Sequence, residues 1–427
     1  MQHIEKNTAQ AENTLNQIMI YLVATGGTLL EWAEYILYAY LAHHFSALYF
    51  PSSDPIASIT ASYAVLGTGF LMRPLGAWVF GHIGDRYGRK PALTYSLLLM
   101  GIATAGIGFM PTHEQIGYWA AVGLAMCRLV QGFALGGEFH GAGIYLVEHS
   151  KKNPYFAGSW ITASAAFGMV IGAGIAALVT RAGMPTWAWR VPFIAGGVIY
   201  GYIFLRRRTL PESPVMTTLE KVPARSASLP LFAFVTVLSA LVCTYVYVAN
   251  VYFVTFLIRE LSYTVSQATL WAMIAQCFVT LFIPFFGWGA DRWWNPYHLL
   301  CFGALAAAVC APLFFMSALS GTLVGLLGYI IPYAIINGII SGPMIALMVR
   351  MFPPRQRYRG ISITWNITAA VLGAIAPIVA VKLAKFSPVY PGYYISVVAA
   401  VTFFVLLLCR REVMSRIYEV QSKIKIK

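Results

Sequence analysis

Residues 81–93 read Gly81-His82-Ile83-Gly84-Asp85-Arg86-Tyr87-Gly88-Arg89-Lys90-Pro91-Ala92-Leu93 and form one short, strongly basic turn between two long apolar runs. The glycines at positions 81, 84 and 88 allow two helix ends to approach closely. Asp85 can accept hydrogen bonds at a helix terminus, and Arg86, Arg89 and Lys90 are expected to stay in water. The stretch is therefore typical of a cytoplasmic loop that joins two membrane helices.

The composition excludes a soluble globular protein. Of the 427 residues, 59% are hydrophobic and 10% are charged, and the mean hydropathy is +0.69, whereas a soluble surface needs far more charge. The net charge of +14 does not indicate nucleic-acid binding, because the basic residues lie in loops between apolar runs. Residues 1–17 lack the pattern of a cleavable signal peptide. The six cysteines have no metal-ligand or redox spacing, so we interpret them as packing residues.

Twelve apolar runs are long enough to cross a bilayer, since a membrane helix needs about twenty mostly apolar residues. They lie approximately at residues 19–45, 57–80, 92–110, 117–147, 154–181, 187–206, 229–258, 265–290, 297–317, 322–350, 360–385 and 390–410. If the amino terminus is cytoplasmic, the inner segments hold 22 of the 29 lysines and arginines, and the outer segments hold five. The positive-inside rule therefore predicts that both termini are cytoplasmic.

A long polar interruption, residues 206–228, divides the chain into two halves of six spans. A weaker copy of the opening stretch stands at the matching place in the second half, Gly287-Trp288-Gly289-Ala290-Asp291-Arg292, and is followed by Trp293-Trp294-Asn295. This duplication predicts two six-helix bundles around a pseudo-twofold axis, with a cavity between them. The predicted boundaries are residues 1–205 for the amino-terminal bundle, 206–228 for a cytoplasmic linker, 229–411 for the carboxy-terminal bundle and 412–427 for a short basic cytoplasmic tail.

Ionisable side chains inside the spans are candidate functional residues, because each costs several kcal/mol unless it is paired or hydrated. In the first half the candidates are Glu31, Glu34, Arg73, Arg128, Glu138 and His140. Glu31 and Glu34 are three residues apart and so share nearly one helix face. Glu31 and Arg128 lie roughly 15–18 Å from their helix starts at 1.5 Å per residue, so depth favours this pair. Arg128 is expected to pair with a substrate carboxylate or with one of the two glutamates, Glu31 or Glu34.

Several further stretches occur in a fixed order along the first half. They are Leu30-Glu31-Trp32, Arg73-Pro74-Leu75-Gly76, Arg128-Leu129-Val130-Gln131-Gly132-Phe133, Gly136-Gly137-Glu138, Trp189-Arg190-Val191-Pro192-Phe193 and Leu210-Pro211-Glu212-Ser213-Pro214. With residues 81–93, which resemble the signature loop of the major facilitator superfamily, they resemble its metabolite:proton symporter branch. Members of that branch carry proline and betaine, citrate, 2-oxoglutarate or shikimate with protons. The resemblance is dense over residues 25–215 and thinner afterwards.

The resemblance implies the major facilitator fold, an all-α membrane protein with twelve transmembrane helices in two pseudo-symmetric six-helix bundles. It also implies a multi-pass protein of the bacterial inner membrane. Three positions depart from the branch, which usually has aspartate where Glu34 stands, glycine where His140 stands and glutamate where Arg350 stands. These departures suggest a substrate unlike those of the best-known members.

The resemblance implies a proton-coupled symporter that imports a small organic solute, a carboxylate or a zwitterion, by alternating access. The alternative is an efflux transporter of the same fold that exports a small metabolite or metal chelate, because a fold does not fix direction. A channel is disfavoured by the paired halves with glycine and proline interruptions. An enzyme is disfavoured because the sequence has no catalytic constellation.

The candidate residues fall into four groups by expected role. The substrate-binding group is Arg128, Tyr38, His140, Tyr252, Trp365 and Asn366, and the proton-coupling group is Glu31, Glu34 and Glu138. The gate group is Gly81, Gly84, Asp85, Arg86, Gly88, Arg89, Asp291 and Arg292, and Arg73 is a structural charge. Simpler roles stay open for Arg128 as a structural arginine, Glu138 as a packing carboxylate and His140 as a donor to a carbonyl.

The expected partners are a small-molecule substrate and the lipid bilayer, without nucleic acid. We expect a monomer that uses no cofactor and no metal, with the proton as its coupling ion. The basic tail is expected to meet anionic lipid headgroups.

Overall fold

The apolar runs of the sequence form long helices. The computed structural model describes residues 2–218 and 226–425, and it describes side chains at residues 17–42, 44–54, 57–218 and 226–416. The long helices of this part of the chain are α1 Gln2–Tyr49, α2 Pro55–Arg86, α3 Arg89–Phe109, α4 Tyr118–His149, α5 Pro154–Val179, α6 Arg190–Thr209, α7 Leu229–Leu261, α8 Val265–Arg292, α9 Pro296–Ala318, α10 Leu323–Met351, α11 Arg357–Ala384 and α12 Tyr390–Lys425. Two single-turn helices, His113–Ile116 and Pro214–Thr217, are left unnumbered. The twelve long helices follow the twelve predicted runs one by one.

Ten of these helices are long and apolar enough to cross a membrane, judged by length and composition over the described residues. The other two are α1 and α6. α6 has 20 residues and ends with three consecutive arginines, which lower its hydropathy. Both helices still belong to the packed bundle, because α1 packs against α5 and α6 packs against α3.

The predicted domain boundaries fall inside or near helices. α6 continues to Thr209, beyond residue 205, and α12 continues without a break from Tyr390 to Lys425, beyond residue 411. Part of the predicted linker, residues 219–225, and the last two residues of the predicted tail lie outside the described residues. The boundaries themselves stay predictions.

The two halves of the chain meet along two helix pairs that occupy equivalent places. α2 of the first half packs against α11 of the second, and α5 of the first half packs against α8 of the second. α2 and α8 are the second helices of their halves, and α5 and α11 are the fifth. Exchanging the halves therefore turns the α2–α11 contact into the α8–α5 contact. The packing therefore has the twofold character that the duplicated loops predict.

Within the first half, α2 and α4 approach each other at backbone distance. A Cβ atom added at Gly76 would lie 1.8 Å from the carbonyl oxygen of Phe133, and one added at Gly132 would lie 2.0 Å from that of Gly69. Membrane helices use such small residues to pack closely. This contact fixes the position of Arg73 on α2 relative to the charged residues of α4.

Two helices of the second half contain a π-helical segment. The segment Tyr247–Tyr252 interrupts α7, and Ala369–Gly373 interrupts α11. The segments touch, since a Cβ atom added at Gly373 would lie 3.0 Å from the ring of Tyr247. A π segment adds a residue to one turn and so turns the following side chains to another face of the helix.

Candidate functional site

A cavity of about 100 Å³ lies between the two halves, and helices from both halves line it. Its polar and aromatic lining residues are Glu31, Trp32, Arg73, Phe139, His140, Thr162, Tyr247, Gln276, Asn337, Ser341, Trp365 and Asn366. Apolar residues such as Val242, Ile283 and Met344 form the rest of the wall. A largely apolar cavity with a few polar groups is the usual form of a small-molecule site.

Glu31 and Arg73 are the two charged residues in the cavity wall. Their exposed fractions are 3% and 7%, and Arg73 is the cation that acts on Glu31 electrostatically. Within the described part of the chain, Glu31 Oε2 and Arg73 Nε have no hydrogen-bond partner. The Arg73 guanidinium lies over the ring of Phe70, 4.0 Å from its centroid. Both charged groups are therefore available to a molecule in the cavity.

His140 lies in the same wall with an exposed fraction of 2%. Its ring packs against the rings of Trp365 and Phe139, with centroid distances of 5.0 Å in each case. Neither ring nitrogen has a hydrogen-bond partner among the described residues. Buried polar atoms are normally hydrogen-bonded, so this imidazole needs an explanation.

Two amides of the second half are hydrogen-bonded within the protein. Asn337 accepts a hydrogen bond from Ser341 at 2.9 Å and donates one to the Tyr333 hydroxyl at 3.4 Å. Asn366 donates to the carbonyl oxygens of Ser362 and, across the interface of the halves, Gly136. Among the fully buried side-chain atoms of the described residues, those in the wall without a hydrogen-bond partner are on the first half, on Glu31, Trp32, Arg73 and His140.

A second charged cluster lies within the first half, behind the cavity. Arg128 and Glu34 form an ion pair at 3.6 Å, and the carboxylate also accepts hydrogen bonds from Thr104 and Gln131. The Arg128 guanidinium stacks over the ring of Tyr38, 3.6 Å from its centroid. Arg128 therefore pairs with Glu34. Depth along the helix had favoured Glu31 as its partner. The rotation of α1 directs Glu34 toward α3 and α4 and Glu31 toward the cavity.

Glu138 belongs to a third cluster, with an arginine that the sequence did not single out. Arg207 contacts the Glu138 carboxylate at 2.5 and 2.8 Å, and Ser96 donates to the same carboxylate at 2.9 Å. Arg207 also donates to the carbonyl oxygens of Val23 and Leu93. The pair thereby joins α1, α3, α4 and α6, which is a structural arrangement.

Arg207 was grouped with the linker arginines because it stands in Arg206-Arg207-Arg208. A signal for its burial was present, since the buried residues Phe193 and Tyr200 precede it at intervals of seven. Residues at that spacing share one helix face.

Two aspartates close one end of the molecule, which we call the loop end and define by residues 87–88 and 293–295. Asp85 accepts hydrogen bonds from the backbone N–H groups of Tyr358 and Arg359, each at 3.0 Å. Asp291 accepts them from the backbone N–H groups of Tyr155 and Phe156, at 3.1 and 2.8 Å. Each carboxylate thus caps the first turn of a helix in the other half. The second loop keeps this contact although its sequence copy is incomplete.

A buried ion-pair network reinforces the same end. The prediction that Arg89 stays in water is wrong, because this arginine is fully buried and contacts Asp85 at 2.7 Å and Glu148 at 3.3 Å. Glu148 also contacts Arg357 of the second half at 2.5 Å and accepts a hydrogen bond from Ser213. The network links α2, α3, α4 and α11 with the start of the linker. Glu148 and Arg357 therefore belong to the contacts that close the loop end, although the sequence groups did not include them.

Tyr358 crosses the interface at the loop end. Its hydroxyl donates to the carbonyl oxygen of Gly137 at 2.7 Å. A Cβ atom added at Gly141 would lie 1.8 Å from this hydroxyl, and one added at Gly84 would lie 2.2 Å from the ring. The tyrosine of the second half therefore fills a slot between α2 and α4 that only glycine leaves open.

The other predicted gate residues lie around this contact. A Cβ atom added at Gly81 would lie 2.7 Å from Arg359 Cα, and Gly88 has a φ of +124°, which favours glycine. Arg86 and Arg292 are exposed, and Arg292 lies over the ring of Trp288 at 4.5 Å.

Five of the predicted site residues line the cavity: Glu31, Arg73, His140, Trp365 and Asn366. Arg128, Tyr38, Glu34 and Glu138 lie in the clusters behind it. Tyr252 is buried in the second half, with its ring 6.3 Å from that of Phe315. The roles of all these residues stay predictions.

Known proteins resemble this chain in sequence. The sequence profile of the Major Facilitator Superfamily matches residues 20–377. A proline/betaine transporter of Escherichia coli strain K12 is 31% identical over 410 residues, which cover 88% of this chain and 80% of the relative. A citrate-proton symporter of Klebsiella pneumoniae is 29% identical over 392 residues, which cover 88% of each chain.

Solved structures resemble the chain in fold. The structure of a proton:xylose symporter bound to 6-bromo-6-deoxy-D-glucose has a TM-score of 0.75 at 16% identity, and the match covers 92% of this chain and 95% of that chain. A bacterial homologue of the iron transporter ferroportin, in an outward-facing state, has a TM-score of 0.71 at 12% identity, covering 92% of this chain and 99% of that chain. These likenesses confirm the predicted fold.

Proposed function

The chain belongs to the Major Facilitator Superfamily, and from this premise we propose that it is a proton-coupled symporter that imports a small carboxylate by alternating access. Its superfamily makes it a multi-pass membrane transporter and not an enzyme. The observation that carries the proposal is the cavity wall in which Glu31 and Arg73 have open polar atoms. Two relatives point the same way, since their names give proline, betaine and citrate, all of which carry a carboxylate.

Arg73 supplies the positive charge for the substrate carboxylate. A guanidinium binds carboxylates through charge-assisted hydrogen bonds, and this one is almost fully buried, where such a bond is stronger than in water. Arg128 pairs with Glu34 and Arg207 pairs with Glu138, and neither arginine is part of the cavity lining, although Arg128 Nε and Nη2 also lack a hydrogen-bond partner. Arg73 is thus the arginine that a molecule in the cavity would contact.

Glu31 supplies the site of the coupling proton. An ionised Glu31 and a substrate carboxylate would compete for Arg73, whereas a protonated Glu31 leaves Arg73 free for the substrate. Substrate binding and protonation of Glu31 then favour each other by the same factor, because such coupling is reciprocal. Proton and carboxylate are therefore carried together.

Alternating access requires that the loop end open and close. We place this end in the cytoplasm, because the segments that lie there hold most of the basic residues. The contacts of Asp85 and Asp291 hold it closed in this structure. Release into the cell would break these contacts.

A zwitterion is a second candidate substrate. The rings of Trp32, Tyr247 and Trp365 line the cavity together with Glu31, and aromatic faces with a carboxylate suit a cationic group. In this case Glu31 stays ionised and binds the cation. The two candidates differ in their response to Glu31→Gln, which would preserve binding of a carboxylate and weaken binding of a zwitterion.

Uptake into proteoliposomes under an imposed inward proton gradient tests the proposal. Labelled proline, betaine, succinate and citrate serve as probes. We expect accumulation of at least one of them, its loss when a protonophore collapses the gradient, and its loss in Arg73→Gln. Arg181→Gln, at an exposed arginine, is the matched control and should leave uptake unchanged. Uptake of every probe without any gradient dependence, or normal uptake by Arg73→Gln, would contradict the proposal.

A further inference from the structure

We propose that His140 recognises a hydroxyl group of the substrate, so that the transported compound is a small hydroxylated carboxylate. The inference rests on the proposed function, because it assumes that the substrate occupies the cavity lined by Arg73. It adds a second recognised group to the carboxylate and so narrows the class of substrate.

The first step is that the protein leaves His140 without a polar partner. Both ring nitrogens are buried and have no hydrogen-bond partner among the described residues. The ring contacts of His140 are aromatic, with Trp365 and Phe139. Asn366, the neighbouring amide in the lining, directs its N–H group to Ser362 and Gly136. An unpaired buried polar group costs about 1–3 kcal/mol, so a ligand that pairs it gains affinity.

The second step is the position of the imidazole. His140, Arg73 and Glu31 come from α4, α2 and α1, and all three line one cavity of about 100 Å³. A molecule in this cavity therefore lies in a space whose wall contains all three side chains. The fully buried atoms of these three side chains that lack a hydrogen-bond partner all belong to the first half, so the first half would bind both the carboxylate and the further polar group.

The third step is the chemistry of the imidazole. A neutral imidazole offers one N–H donor and one nitrogen acceptor, and its tautomer decides which nitrogen is which. A hydroxyl group both donates and accepts, so it pairs with whichever nitrogen faces it. A keto oxygen only accepts and an ammonium only donates, so each suits one tautomer. A hydroxyl therefore pairs with His140 in either tautomer, so no protein neighbour has to fix the tautomer for it.

Matched pairs of compounds that differ by one hydroxyl test this inference. Succinate and malate, tricarballylate and citrate, and proline and hydroxyproline are suitable probes, with binding measured on the purified full chain by competition. We expect the hydroxylated member of at least one pair to bind about tenfold more tightly to the wild type. His140→Phe keeps an aromatic ring for the packing on Trp365 and should reduce this ratio to about one, with little loss for the deoxy compound.

Two further variants separate this role from packing. His140→Gln keeps a donor and an acceptor and should retain part of the preference. His298→Phe makes the same change at an exposed histidine and should leave the preference at the wild-type value. If the wild type binds both members of every bound pair equally, the inference fails and the proposed function stands. The same holds if His140→Phe leaves the binding ratio unchanged. If no pair binds, the proposed function fails and the inference fails with it.

Discussion

Replacing Asp85 by asparagine should open the loop end without unfolding the protein. The carboxylate accepts two backbone hydrogen bonds at 3.0 Å from the first turn of α11 and one from Arg89 at 2.7 Å. A hydrogen bond to a charged group contributes about 1.5–3 kcal/mol, and a carboxylate at a helix N-terminus contributes about 0.3–2 kcal/mol. Asparagine keeps a neutral acceptor, so we expect a loss of about 2–3 kcal/mol. This corresponds to roughly a 30- to 150-fold shift toward the open state.

The Cys243 thiol reports this opening because it lies in the cavity wall and is buried. In a variant that retains Cys243 and lacks the other five cysteines, an impermeant maleimide applied from the loop end should label Asp85→Asn faster by about this factor. Transport should fall, because a loop end that does not close interrupts the cycle.

Asp291→Asn is the matched variant in the second half. Asp291 accepts two backbone hydrogen bonds, like Asp85, but none of the ion pairs found among the described residues includes it. Its replacement should therefore accelerate labelling less than that of Asp85. Wild-type labelling rates in both variants at normal expression would refute the reasoning, as would a larger effect at Asp291.

Two further predictions concern buried contacts made by residues of the first half, one with Tyr358 of the second half and one within the first half. Gly141→Ala places a Cβ atom 1.8 Å from the Tyr358 hydroxyl, so it should expel this side chain, reduce uptake severely and raise Cys243 labelling from the loop end. Tyr358→Phe removes only the hydrogen bond to Gly137 and should have a milder effect. Equal effects of the two variants would contradict the claim that the Tyr358 ring needs the space left by Gly141. Arg207→Met leaves Glu138 buried without its partner and should destabilise the protein by about 3–5 kcal/mol. Adding Glu138→Gln should recover part of the lost stability, as measured by thermal unfolding. A double variant as unstable as Arg207→Met would contradict the claim that Arg207 stabilises the buried Glu138 carboxylate.

The sequence predicted the number of helices, their order and the loop contacts because these depend on local signals. Apolar runs of sufficient length give membrane helices, and the repeated loop identified Asp291 as the counterpart of Asp85. The sequence also placed Glu31 and His140 among the candidate residues. These predictions need only the position of a residue along its own helix.

The remaining details depend on how neighbouring helices are rotated, which no local pattern reports. Depth along α1 does not distinguish Glu31 from Glu34, so the sequence left both open as partners of Arg128, and the structure shows that the partner is Glu34. Tyr247, and not the predicted Tyr252, lines the cavity. Both belong to the π-helical segment of α7, whose extra residue changes the helix face. A sequence pattern based on regular helices does not contain that shift.

The assignment of the coupling proton to Glu31 is the central claim, and substrate-driven proton movement tests it most directly. In weakly buffered proteoliposomes, adding the transported carboxylate outside should raise the external pH for the wild type, because protons enter with the substrate. Glu31→Gln should still exchange labelled for unlabelled substrate, since the amide resembles the protonated acid, but should move no protons. Glu114→Gln, at an exposed glutamate, should behave like the wild type. Proton entry with substrate in Glu31→Gln would contradict the account.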